Sequence, residues 1–268
     1  MSTRMQSANR WSLRRFVALT ELELLALARQ GSTLVSTLLL HPVVYLVLLA
    51  AGLQGLIGGG DDFYNGYSYL AFVLPGLIVL EALGGFSQAM YRTVLDRQWG
   101  MLTIKRLAGA GGAGYALSKI VAPTASLLIQ ALVLLVFASI LGVRLTLEGL
   151  VLGLMLAIVS VAFWAALAVV VASFVRDYVV RDMVVSWIML PLSMAAPVFY
   201  RIETAPTYLE WIARFNPLSW QVEALRSVML DGQITSSMLV MIGLTLIAIT
   251  AAVVSVSHGD ALASEGGR

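Results

Sequence analysis

Cysteine is absent from the 268 residues, and histidine occurs only at His41 and His258. Disulfides, thiolate metal sites and cysteine nucleophiles are thereby excluded. Two histidines so far apart make no metal-ligand spacing. Charge is scarce as well: 17 Lys+Arg and 15 Asp+Glu make up 12% of the chain, against about 25% in soluble domains. With 59% hydrophobic residues and a mean hydropathy of +0.88, too little polar surface exists to cover a water-soluble globule. Disorder is excluded too, because apolar content is high and the net charge is only +2. What remains is an integral membrane protein. Its basic residues are scattered over short loops, so they read as topology determinants and not as a nucleic-acid surface.

A bilayer core of about 30 Å needs roughly 20 apolar residues in a helix. Six stretches qualify, at about 31–57, 68–91, 120–143, 149–175, 182–200 and 233–257. The expected fold is therefore an all-α integral membrane domain of six transmembrane helices. The first stretch contains His41-Pro42, which predicts a kink with His41 bonding locally. It begins near residue 31 and is as long as a full span, so it reads as a span and not as a cleaved leader. Residues 1–30 form a tail whose segment 10–29 is expected to lie as an interfacial amphipathic helix.

Thirteen basic residues fall in the tails and in the connections after the second and fourth spans; four fall on the other side. The positive-inside rule then places both termini, 1–30 and 258–268, in the cytoplasm of a multi-pass protein of the cell membrane.

Two connections are unusual. The segment 92–119 is long, charged and cytoplasmic by this topology. It reads either as a solvated positive loop or as a short surface helix that docks a partner. The segment 201–232 lies on the outer side yet is rich in aromatics. Tyr208, Trp211, Phe215 and Trp220 have the composition of a membrane–water interface. Asn216-Pro217 is a helix start, an N-cap followed by Pro at the first helical position. Glu210–Arg214 and Glu223–Arg226 have ion-pair spacing. Two short helices are expected, about 206–214 and 217–230. They would form an outer-leaflet hairpin carrying Pro206, Trp211, Asn216, Pro217, Trp220 and Arg226.

These patterns together resemble the ABC-type-2 permeases, close to the daunorubicin-resistance-like and nodulation-factor-exporter-like membrane subunits. Gly66-Tyr-Ser-Tyr-Leu-Ala-Phe-Val-Leu-Pro75-Gly76 is similar to the family's entry into the second span. The segment from Arg97 to Lys119 stands where the family has its coupling loop. Pro197 to Pro206, then Ile212-Ala-Arg-Phe-Asn-Pro217-Leu-Ser-Trp220, resembles the re-entrant segment before the last span. One departure stands out: Phe199 is followed by Tyr200-Arg201, where the family often has Phe-Pro.

The resemblance implies an exporter of a drug, lipid or glycolipid, built as a homo- or heterodimer of permease subunits with cytoplasmic nucleotide-binding ATPase subunits. It assigns ATPase coupling to Arg97, Trp99, Lys105 and Arg106. Independently, the chain has no Gly-x-x-x-x-Gly-Lys-Ser/Thr phosphate loop. No cofactor is expected on this chain; ATP and Mg would sit on the partner.

Inside the spans, Glu81 is an acidic residue at depth, where a charge costs about 2.5–3.5 kcal/mol. Glu81, Gly84, Gly85 and Gln88 share one helix face, read as a dimer contact or pathway wall, or as a structural patch around a buried Glu. Ser186, Met189, Ser193 and Phe199 are candidates for a second apolar wall, or simply packing residues. The rival function is an ion-coupled secondary transporter using Glu81. It lacks the matched broken helices of that class. An intramembrane enzyme lacks any nucleophile–base pair.

Overall fold

The computed structural model describes residues 13–31, 36–57, 63–107, 111–175 and 177–265. The described chain is helical. α1 (Leu13–Ala28) is followed by α2 (36–57), which alternates α-helical and wide π-type turns around Pro42. Then come α3 (Tyr69–Gln98), the short α4 (Met101–Leu107), α5 (Gly112–Ile140), α6 (Leu147–Ala172) and α7 (Tyr178–Ala195). Two short helices, α8 (Thr207–Phe215) and α9 (Pro217–Arg226), precede α10 (Ser236–Glu265). Six of them, α2, α3, α5, α6, α7 and α10, are long and apolar enough to cross a bilayer.

The helix starts are written locally. Ser68 caps α3 by accepting from the Ala71 amide at 3.3 Å, and Thr146 caps α6 through the Gly149 amide at 3.1 Å. Asp177 does the same for α7 through Val180 at 2.9 Å, and Asn216 for α9 through Leu218 at 2.9 Å. Each cap satisfies a backbone N–H left without an intrahelical partner. Where they fall within a membrane, such caps matter more, since no water replaces them.

α3 is the central pillar. Its apolar stretch is 83% buried, against 6% for α7 and 19% for α2. It packs chiefly on α6 and α5, with α10 closing the far side of α6. Tyr69, Phe72 and Phe86 of α3 and Trp164 of α6 are fully buried, and Phe86 meets Trp164 edge-on at 6.5 Å. Close approach depends on glycines. A Cβ on Gly85 would stand 2.6 Å from Val161 Cγ2 and 3.2 Å from Pro123 Cβ. A Cβ on Gly76 would stand 2.8 Å from Val198 Cγ1.

Two ends can be distinguished. Gly112, at the start of α5, lies against Ser257 of α10, and α1 packs along α5. α1, α4, the start of α5 and the stretch of α10 around Ser257 are thus at one end, and the α8–α9 hairpin lies at the other.

Candidate functional sites in the helix bundle

At the end carrying α4, five charged side chains from four helices converge. Lys119 Nζ of α5 lies 2.6 Å from Asp96 Oδ2 of α3 and 2.7 Å from Glu23 Oε1 of α1. Lys105 of α4 reaches Asp96 at 2.7 Å and Glu23 at 3.4 Å, and Arg92 reaches Glu23 at 3.4 Å. The Tyr115 hydroxyl donates to Asp96 at 3.0 Å, with both ammonium groups over its ring. Lys119 is 2% exposed and Glu23 3%. Buried charges at this depth are tolerated because each has an opposite partner. Leu19, Glu23 and Leu27 form the buried face of α1 at i, i+4 spacing, while Val17, Leu22 and Leu25 are turned outward.

This cluster takes in one of the residues to which the resemblance assigned ATPase coupling. Lys105 is held inside it. Arg97 donates to the carbonyls of Ala172 and, at 3.2 Å, of Val175, at the C-terminal end of α6, where a cation is favoured by the helix dipole. Trp99 is 72% exposed, and beside it Met101 and Ile104 are exposed as well. These three apolar side chains stand exposed among the exposed polar residues Arg97, Gln98 and Thr103. The Arg106 side chain lies outside the described residues.

A second site is a cavity of about 660 Å³ among α2, α3, α5 and α7. Glu81, Gly84, Gly85, Gln88 and Met189 all line it. His41 does not bond locally as the sequence predicted: its Nδ1 lies 2.9 Å from Glu81 Oε1, across from α2 to α3. The wide turns around Pro42 carry it there. Gln88 Nε2 donates to Ser126 Oγ of α5 at 3.2 Å. Gly84 has open space beyond its Cα, whereas Gly85 is a packing contact. Of the four residues of the expected second wall, this cavity takes in Met189. Ser186 is exposed, Ser193 bonds to the Leu190 carbonyl of its own helix, and Phe199 offers its carbonyl to the Tyr69 hydroxyl at 3.0 Å.

A third site lies at the opposite end, under the hairpin. Glu210 and Arg214 pair as their spacing predicted, at 2.6 Å. Pro206 precedes α8, where Trp211 stacks near Phe215 at 6.4 Å, and both are exposed with Tyr208. Asn216, besides capping α9, donates to the Leu192 carbonyl of α7 at 2.8 Å. Gln221 accepts from Ser160 at 2.6 Å and from Trp164 Nε1 at 2.8 Å, fixing α9 against α6.

Arg226 departs from its expected pairing with Glu223. It turns inward, donating Nε to the Phe72 carbonyl at 3.1 Å and Nη2 to the Pro197 carbonyl at 2.9 Å. Its guanidinium lies 3.7 Å from the Phe72 ring centroid. Burial pushes its pKa down to about 10, with Tyr64, Glu203 and Glu223 opposing the shift, so it stays cationic at neutral pH. Arg226, Trp220, Arg201 and Tyr64 line a cavity of about 580 Å³. Nothing in the local sequence distinguished the buried Arg226 from an exposed helical arginine, nor marked Gln221 and Glu23 as network members.

Comparison with known proteins agrees with the bundle. The chain is similar over 203 residues to a Cyanophora paradoxa protein named "Putative transport permease ycf38", at 24% identity, covering 75% of this chain and 69% of that protein. The family model described as ABC-2 type transporter matches residues 14–230, from α1 through the hairpin. With most of its length matched in this way, the chain belongs to the ABC-2 type transporter family.

Proposed function

We propose that this chain is the membrane permease subunit of an ATP-binding cassette exporter, moving a hydrophobic or amphipathic substrate such as a drug, lipid or glycolipid. A separate ATPase subunit supplies the energy, because this sequence has no phosphate loop. The observation that carries the reading is the exposed apolar edge formed by Trp99, Met101 and Ile104. It stands at the end of the bundle shared by α1 and the stretch of α10 around Ser257. Through Lys105 it is tied to α1 and α3 by ion pairs and to α5 by the Tyr115 ring. A push on α4 is therefore delivered to the central pillar through buried ion pairs, not through a loose loop.

The excess of basic residues at this end makes it the cytoplasmic one. α1 then lies at that membrane surface with Leu22 and Leu25 toward lipid. The hairpin occupies the outer leaflet, with α9 covered by α3, α6 and α10. The sparsely buried α7, with Trp187 80% exposed, faces a second permease subunit and, with α3, the route between them.

The test is co-purification with a nucleotide-binding ATPase subunit, followed by hydrolysis in nanodiscs. The expected result is a stable complex whose hydrolysis responds to substrate. Uphill transport by vesicles containing this chain alone, without nucleotide, overturns the proposal. That outcome belongs to a second reading, ion-coupled transport, which rests on His41 and Glu81 meeting at 2.9 Å beside a cavity.

A further inference from the structure

The cavity beneath the hairpin has a chemistry that permease packing does not require. Arg226 is 9% exposed, and a guanidinium carries five N–H donors. Two are used, both on main-chain carbonyls, and among the described residues no carboxylate stands within ion-pair reach of it. A buried cation without a counter-charge is costly, unlike Lys119, whose carboxylates are in contact. Arg201 lines the same cavity. Its Nε is buried and makes no hydrogen bond, with Glu203 Oε2 at 3.6 Å. Two arginines with unfilled donors thus face one cavity.

The carboxylates are arranged differently. Glu210 is occupied by Arg214 at 2.6 Å. Glu223 and Asp231 also line the cavity, but both are exposed and form no ion pair among the described residues. The buried positive charge is thus Arg226, with Arg201 half-buried beside it, and Glu203, Glu223 and Asp231 sit at the wet rim. A ligand that fits places an oxyanion inward and a cation outward. Planar guanidinium donors suit phosphate and carboxylate oxygens, and Trp220 adds an aromatic face for an ammonium.

We infer that this cavity is a binding site for a zwitterionic group, its phosphate or carboxylate held by Arg226 and Arg201 and its ammonium set against Glu223. The group belongs either to a lipid head or to a soluble molecule of the same chemistry. The site lies at the end opposite α4 and does not depend on what powers transport.

Titration of the 268-residue protein in phosphate-free maltoside detergent tests this with three probes: O-phosphoethanolamine, inorganic phosphate and ethylammonium. Phosphoethanolamine is expected to bind tightest, phosphate more weakly and ethylammonium not measurably. Arg226→Gln risks unfolding, because Arg226 also ties α9 to α3. Arg201→Gln leaves those bonds intact and should weaken both phosphate-bearing probes about tenfold, the loss of a charge-assisted hydrogen bond. Glu223→Gln should reduce phosphoethanolamine to the affinity of phosphate. Competition by added phosphatidylethanolamine assigns the site to lipid heads; binding untouched by it assigns a soluble ligand. Equal affinities in wild type and Arg201→Gln, or no binding of either phosphate probe, overturn the site. A preference for phosphoethanolamine that survives Glu223→Gln overturns the placement of the ammonium.

Discussion

Lys119 and Asp96 lie 2.6 Å apart, the first at the start of α5 and the second near the end of α3, with Lys119 2% exposed. Glu23 completes the contact from α1 at 2.7 Å. Three helices distant in sequence are joined at one ammonium group. Lys119→Met should therefore destabilise the protein by about 3–5 kcal/mol, since it leaves two buried carboxylates short of a partner. The exposed Glu210–Arg214 pair is the control, and Arg214→Ala should cost no more than about 0.5 kcal/mol. Thermal melting of both variants in detergent measures the difference; equal losses would mean that the cluster is no better shielded than the surface.

The apolar edge of α4 makes a different prediction. Trp99→Ala combined with Ile104→Glu should abolish association with the proposed ATPase subunit. Stability should change by less than about 0.5 kcal/mol, because both side chains are exposed. Pull-down together with melting of the isolated chain reads both quantities. Full retention of the partner moves the docking surface elsewhere.

Adjacent glycines in α3 should behave oppositely. Gly84→Ala meets nothing within 4 Å and should gain about 0.5–1 kcal/mol from reduced backbone freedom. Gly85→Ala puts a methyl 2.6 Å from Val161 Cγ2 and should cost about 1–3 kcal/mol through forced repacking. Denaturation of the two single variants under identical conditions settles it, and the same sign for both would contradict the packing of α3 on α6.

Glu81→Gln keeps a hydrogen-bonding group beside His41 and removes the carboxyl group from the cavity. If Glu81 acts in the transport route, transport should fall about tenfold, the scale of one charge-assisted hydrogen bond. The melting temperature should shift by no more than about 4 °C, which corresponds to roughly 1 kcal/mol in a chain of this size. Unchanged transport by a fully assembled complex would assign the His41–Glu81 contact to packing alone.

Six apolar stretches, the start of α9 at Asn216-Pro217 and the Glu210–Arg214 pair were legible in the sequence because each depends on residues within one helix turn or one hydrophobic run. The gathering of Glu81, Gly84, Gly85 and Gln88 on one cavity wall was legible for the same reason: spacing along α3 fixes it. Long-range partners were not. Arg226 has a carboxylate three residues away at Glu223, yet packing places the Phe72 and Pro197 carbonyls within its reach instead. Lys105 reads as an exposed basic residue of a loop, and only the approach of α1 and α5 encloses it. In a chain so poor in charge, polar groups are matched across helices, since hydrocarbon offers no water to satisfy them where they stand. Hydrophobic runs determined how many helices form; the tertiary contacts decided which charges face inward, and the one that turns Arg226 toward Phe72 joins residues 154 positions apart.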